Sequence, residues 1–390
     1  MKIGLYLILT LIFLECLDQS TFMIAVPSSP FSVGQLLFIL TGFLNIKLKN
    51  LLQNPLVISF FIVNLLSLLA AYINPDFFVN ISRSIGLFIL FFASVGWIKY
   101  WNKHETYFVL NLFFITNYIY WAYYLINNVL INGELLSYGD LFMSNSSTIN
   151  HHTLGLALSI SSIFILVRFF IQRNKISVTG YAFILFTFLL LFVTESRSNS
   201  FTYTLGILLL IGYLHKISIK SIFLISFIGI LVSLSFDYLL SSQEQIVQRF
   251  SFDSEYQTKT NVSRVQIYLD FPSEMYANPL GKGSVGGTKL IINDNYELNP
   301  HNQFLTYSLQ SGIVGMLAII YFLYKILIFV RKGSFLFVLR NKYLKATSMV
   351  SFVYLLTLMT IDIGGLLFQI ILSFIFYLHQ IFKIKSIGIK

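Results

Sequence analysis

Near its C-terminal end the chain sets His301 beside Asn302, in the stretch NPHNQFLTYSLQSGIVG (299–315), just before an apolar run that carries Gly312 and Gly315. An imidazole titrates near about pH 6.5, so it can take a proton from an attacking hydroxyl. The neighbouring amide supplies a second polar group at the same depth. Pro300 has no N–H to leave unpaired and suits the first turn of the helix that follows. A histidine merely resting at a membrane interface is the plainer reading, and these residues alone leave both open. Gly312 and Gly315, with Ser311, are expected to let a neighbouring backbone approach closely.

Arginines form the second group. Arg197, in TESRSNS, falls in a very short turn between two apolar runs, with Glu195 near enough in sequence to serve as an ion-pair partner. Arg83, in NISRSIG, is expected at the start of a helix, where the dipole does not favour a cation, so it suggests an anion nearby. Arg249 and Arg264 lie in a polar stretch where a solvated charge is the default. A guanidinium forks two hydrogen bonds to phosphate, which a lysine does not reproduce. Several such groups around a membrane bundle suggest a phosphate or pyrophosphate ligand.

Other motifs carry less. GKGSVG (281–286) matches G-x-G-x-x-G letter for letter, but it follows YANPL rather than a strand, so a turn is expected and not a dinucleotide site. The sequence has no H-E-x-x-H, no metal-spaced histidine cluster and no G-x-S-x-G, and nothing calls for a metal or another cofactor. His151 and His152 are adjacent, point in different directions on a helix, and read as interfacial. Cys16 is the only cysteine, which excludes an intrachain disulfide and a thiolate metal site.

These residues must be held by helices in a membrane. The 390 residues are 56% hydrophobic and 11% charged, with a mean hydropathy of +0.76, far from the roughly 25% charged residues of a soluble domain. The net charge of +10 reports orientation before it reports nucleic acid, and no nucleic-acid partner is read from it. MKIGLYLILTLIFL starts like a signal peptide but no small-residue cleavage site follows, so it is expected to be the first span. Spans of about 20 apolar residues are expected near 4–25, 31–46, 55–73, 82–99, 106–127, 152–171, 178–194, 199–214, 217–240, 302–330, 345–361 and 363–380.

The fold class expected is therefore all-α, a polytopic bundle of about twelve transmembrane helices. Nine helices fall within 1–240, a long extracytoplasmic loop spans 241–301, and three helices occupy 302–390. Lys and Arg support this order. One set of alternate connections holds Lys2, Lys47, Lys49, Lys99, Lys103, Arg168, Arg173, Lys175, Lys216, Lys220, Arg331, Lys332, Arg340, Lys342, Lys345, Lys383, Lys385 and Lys390. The opposite short loops hold only Arg83 and Arg197. Both termini are thus expected in the cytoplasm, with any chemistry on the outer face.

Three segments resemble the superfamily of O-antigen ligases and O-antigen polymerases that assemble bacterial polysaccharide. TESRSNSFTYTLGILLL (194–210) is similar to its Ser-Arg turn leading into a helix. SRVQIYLDFPSEMYANPLGKGSVGG (263–287) is similar to its pattern of an Arg, an amphipathic helix, then Asn-Pro-Leu and a glycine-rich turn. HNQFLTYSLQSGIVGMLAIIYFL (301–323) resembles its His-Asn-x-x-Leu, Gly-x-x-Gly helix and is the most specific of the three. The first 190 residues match only in hydropathy.

The resemblance implies a metal-independent glycosyltransferase of the inner membrane whose donor is a glycan on undecaprenyl diphosphate. Arg197 and Arg264 would hold the lipid diphosphate and His301 would be the essential loop histidine. Asn302 would orient the acceptor hydroxyl or the sugar. Arg83 has only a weak counterpart in the family and stands on the charge argument. The acceptor would be another lipid-linked repeat unit in an O-antigen or capsule polymerase, or lipid A core in a ligase, and a chain-length regulator is a further partner such a pathway allows. The competing class is a flippase or transporter of lipid-linked oligosaccharide, which calls for charged or discontinuous helices near mid-membrane and two related halves.

Overall fold

The computed structural model describes residues 2–17, 32–47, 53–73, 77–127, 151–172, 175–194, 197–215, 267–283, 290–292, 296–298, 302–331, 342–357 and 366–387. Its helices are α1 (Lys2–Leu17), α2 (Val33–Phe43), α3 (Pro55–Ile73), α4 (Phe77–Trp97), α5 (His104–Leu125), α6 (His151–Ile165), α7 (Val178–Val193), α8 (Arg197–His215), α9 (267–277), α10 (Gln303–Arg331), α11 (Lys342–Thr357) and α12 (Leu366–Ile387). The chain is an all-α membrane protein. Among the described residues, three stretches are long and apolar enough to cross a bilayer on length and composition alone, Pro55–Ile73, Asn80–Asn102 and Gln303–Ile326. The expected helix 217–240 and most of the expected loop 241–301 lie outside the described residues.

The chain divides into two compact units. The first holds α1 to α4, the beginning of α5, and α9, α10 and α12. Its elements follow from local chemistry: Ser32 closes a capping box on α2, its Oγ accepting from the Gln35 N–H while Gln35 Oε1 accepts from the Ser32 N–H. Polar side chains then fasten apolar helices to one another. Trp97 Nε1 donates to Thr41 Oγ1 at 2.9 Å, Trp101 Nε1 to Ser373 Oγ at 2.9 Å, and Ser94 Oγ to Gln369 Oε1 at 2.8 Å. Such bonds contribute about 0.6 kcal/mol each on average inside a membrane. Most of the cohesion is therefore packing, as where Phe60 of α3 meets Tyr307, Phe322 and Phe368 edge-on or tilted at 5.9, 4.6 and 5.8 Å.

The second unit holds the rest of α5, with α6, α7, α8 and α11. Its buried faces are rich in small hydroxyls. Ser159, Ser161 and Ser162 of α6 are buried, as are Thr187 of α7 and Thr202 and Tyr203 of α8. Ser159 Oγ reaches the Asn199 carbonyl at 3.3 Å and Tyr118 shares a 2.9 Å hydrogen bond with Thr187. Ser159 thereby ties α6 to the first turn of α8, the turn that begins with Arg197.

Two short ladders were not expected from the hydropathy pattern. Ile171–Gln172 (β1) pairs with Lys175–Ile176 (β2), and Leu290–Ile292 (β3) with Tyr296–Leu298 (β4), both antiparallel. Their signal is present in the sequence as short polar breaks, Arg-Asn and Asn-Asp-Asn, close to isoleucines. Search windows long enough to find a membrane span average over it.

Candidate functional site

The first segment of α10 and the turn after α9 build one structure, all within the first unit. Helix α9 turns Ile267, Phe271 and Met275 toward Leu305, Leu309, Phe304 and Met316 of α10, the four-residue spacing that places side chains on one helical face. Glu274 lies one turn beyond Asp270 on the same side of the helix, beside that apolar face. Its carboxylate pairs with the Lys282 ammonium and accepts from Asn278 Nδ2 at 3.0 Å. That pair is largely buried and fixes the turn Asn278–Gly283 back onto the helix that leads into it.

The same turn is threaded into α10. Gly312 departs from helical geometry, with φ 70° and ψ −166°, which opens the bond that would run from the Ile313 N–H to the Leu309 carbonyl. Both freed groups find partners in the turn. Ile313 N–H donates to the Pro279 carbonyl at 3.0 Å, and the Leu309 carbonyl accepts from the Lys282 N–H at 2.8 Å. The pair of backbone groups freed by the break is thus satisfied, as an apolar setting demands.

Glycine is required where these backbones touch. Gly281 and Gly312 both have positive φ, 90° and 70°, and a Cβ on either would collide with backbone of the other's segment. Gly283 closes the contact on the other side. A Cβ there would come within 2.7 Å of Ala71 Cα on α3, and Asn80 Nδ2 of α4 donates to the Lys282 carbonyl at 2.9 Å. Three helices thus hold one turn, and the G-x-G of the sequence serves close approach of backbones. Gly312 performs the packing expected of it. Gly315 does so only in part, because a Cβ there would meet its own helix's Ser311 side chain and Leu66 at 4.0 Å.

The expected site residues fall as follows. Asn302 is buried and caps α10: its Oδ1 accepts from the N–H groups of Phe304 and Leu305 at 2.9 and 3.2 Å, and its Nδ2 donates to the Tyr268 hydroxyl of α9 at 3.3 Å. Asn302 therefore sets the start of the helix and ties it to α9. His301, one position earlier, and Arg264 lie outside the described residues. Arg197 is the first residue of α8, and its side chain is likewise outside them.

Arg83 is exposed on α4, and no carboxylate pairs with it among the described residues. It stands one turn after Asn80, the residue that holds the Lys282 carbonyl, a spacing that makes helix neighbours. Because α4 begins at Phe77 rather than near 82, Arg83 lies in the second turn, where the helix dipole has largely faded. The dipole argument for Arg83 therefore falls, while its unpaired charge and its neighbourhood to the turn remain.

Two residues escaped the sequence reading. Gln303 and Thr306, in the first turn of α10, are buried with Gln303 Oε1 and Thr306 Oγ1 unpartnered among the described residues. Three residues apart, they share a face. Their signal in the sequence is polar spacing within an apolar span, which looks the same whether such groups bond across helices or await a ligand.

Asn302 offers a clean test of its two roles. Asn302→Ala is expected to cost about 0.5–2 kcal/mol through the lost cap, read as a lower unfolding temperature in detergent, whereas Asn302→Asp keeps the cap. If Asn302→Asp matches the parent in both stability and activity, the amide nitrogen has no chemical part.

Residues 181–320 match the sequence model of a family described as O-Antigen ligase. The match runs from α7 through α8 and α9 and across the break at Gly312. No curated protein matches the chain.

Proposed function

With residues 181–320 belonging to the O-antigen ligase and polymerase superfamily, we propose that the chain is a polysaccharide repeat-unit polymerase of the bacterial inner membrane. It moves a glycan from undecaprenyl diphosphate to a hydroxyl of another lipid-linked repeat unit. The observation that carries this reading is that the clamp of α9, the Asn278–Gly283 turn and α10 falls inside the matched segment and fixes the start of α10, to which His301 is joined. The bundle has about twelve spans, both termini in the cytoplasm, and a site facing the exterior.

The reaction needs few parts. The acceptor hydroxyl attacks the anomeric carbon, a new C–O bond forms, and the bond to the lipid diphosphate breaks with its electron pair leaving on the diphosphate. His301 takes the hydroxyl proton. Arg197 and Arg264, with Arg83, stabilise the charge that develops on the leaving group, as preorganised cations do. Direct displacement inverts the anomeric configuration. Asn302, fixed between the α10 backbone and Tyr268, holds the segment next to His301 in register. No metal is required by these steps.

A ligase that uses lipid A core as acceptor is the alternative within the superfamily. A flippase gains one observation, the interrupted helix at Gly312, since transporters commonly bind at broken helices. The break here is filled by the chain's own turn, whose two hydrogen bonds take up both freed groups, and this favours the enzyme.

The test is a gel of surface and lipid-linked polysaccharide from cells carrying His301→Ala at normal expression. The reading expects loss of the long-chain ladder. Single repeat units on the final anchor then indicate a polymerase, and long chains stranded on the carrier lipid indicate a ligase. An unchanged ladder removes His301 from the mechanism.

A further inference from the structure

Helix α9 has more apolar surface than its packing on α10 uses. Stepping about 100° per residue, Ile267, Phe271 and Met275 form the face that meets α10. Tyr268, Pro272, Tyr276 and Leu269 form a second stripe beside it, and Asp270, Ser273 and Glu274 occupy what remains. The second stripe is bare: Tyr268, Leu269 and Tyr276 are 55%, 66% and 87% exposed, and Leu280 in the following turn is 64% exposed. A helix that only covered α10 would show polar residues there.

The depth of this surface is fixed by the clamp. The turn bonds to α10 at Leu309 and Ile313, inside the apolar stretch Gln303–Ile326, and Gly283 abuts Ala71, near the end of the apolar helix Pro55–Ile73. Leu280 therefore sits at the level where two membrane-crossing helices are already apolar. On α10 just past the break, Val314 and Leu317 are 57% and 56% exposed, as side chains facing lipid are. Leu280, whose backbone lies against Gly312, brings the bare stripe of α9 to the edge of that exposed surface. The neighbouring Glu274–Lys282 pair is mutually neutralised, which lowers the cost of holding it beside hydrocarbon.

We propose that α9 and the turn to Leu280 lie in the membrane interface, with Tyr268, Leu269, Tyr276 and Leu280 covered by the lipid of one leaflet. Two tyrosines and two leucines suit that boundary, where an apolar body and a hydroxyl tip are both satisfied. The lipid surface then holds the end of α10 that carries Asn302 at headgroup level. This inference rests on the membrane reading of α3 and α10 and not on the transfer reaction, so the two fail independently.

The experiment places a spin label at position 276, 280 or 273 in a Cys16→Ser background of the full chain, reconstituted in vesicles of phosphatidylethanolamine and phosphatidylglycerol. Collision with oxygen, which concentrates in lipid, is compared with collision with a water-soluble nickel chelate. Labels at Tyr276 and Leu280 are expected to show an oxygen-to-nickel ratio several-fold above that at Ser273. Nickel access at 276 and 280 equal to that at 273 overturns the proposal, and so does shielding from both probes, which means a protein partner covers the stripe. Hydroxyl-radical footprinting of the unsubstituted protein in the same vesicles guards against misfolded variants. Tyr276 is expected to oxidise as slowly as Tyr324 on α10, and oxidation at the rate of a water-exposed tyrosine overturns the proposal.

Discussion

Gly312→Val is expected to abolish the long-chain glycan ladder while leaving the protein in the membrane. Valine does not tolerate the φ of 70°, and its Cβ would strike the Pro279 carbonyl and the Leu280–Gly281 backbone. The low-energy escape is a continuous helix: the substituted position takes ordinary helical angles, Ile313 N–H returns to the Leu309 carbonyl, and the turn is expelled. Backbone strain of about 1–3 kcal/mol and two exchanged hydrogen bonds of about 1 kcal/mol each make expulsion the better outcome. The chain should then become cleavable by trypsin after Lys282, which the clamp now holds against Glu274 and the Leu309 carbonyl. Gly4→Ala is the control, since its added carbon meets no atom within 4 Å. A Gly312→Val protein that keeps an intact ladder although Lys282 is cleaved would show that the clamp does not hold the site.

Arg197→Ala is expected to slow glycan transfer by about 10²–10³-fold, the usual loss when one preorganised group is removed from a developing charge. Arg197→Lys should recover little of it, because an ammonium does not fork to two phosphate oxygens. The measurement is single-turnover transfer from a lipid-diphosphate donor, with helix placement controlled by Ser159→Ala, which loosens the first turn of α8 without touching its charge. If the lysine variant transfers at the parent rate, the site needs a point charge and not a fork. If the alanine variant does, Arg197 has no part in binding the diphosphate.

Much of this architecture is legible in the residues. The helix 55–73 stands where the apolar run puts it, and α5, α7, α8 and α10 begin and end within a few residues of the hydropathy boundaries. Helix α4 starts about five residues earlier than the hydropathy boundary, at Phe77. The family segment around 263–287 correctly reads as a helix followed by a glycine-rich turn.

What composition does not reveal is where that turn goes. Pro279, Gly281 and Gly283 announce a bend, and Gly312 a close approach, but nothing in either stretch says that each is the other's partner across about thirty residues of chain. That pairing is a matter of backbone hydrogen bonds, which carry no side-chain signature. Asn302 shows the reverse limit. Its residue type suggests chemistry, and its geometry first supplies a helix cap.

The most direct test of the account is transfer by the purified full chain in liposomes supplied with a repeat unit on undecaprenyl diphosphate. The account predicts new glycosidic bonds, seen as lengthened glycan on the lipid, with one free undecaprenyl diphosphate released per unit added and no requirement for a nucleotide sugar. Movement of intact donor from one leaflet to the other, with no lengthened glycan and no free carrier lipid, would contradict it.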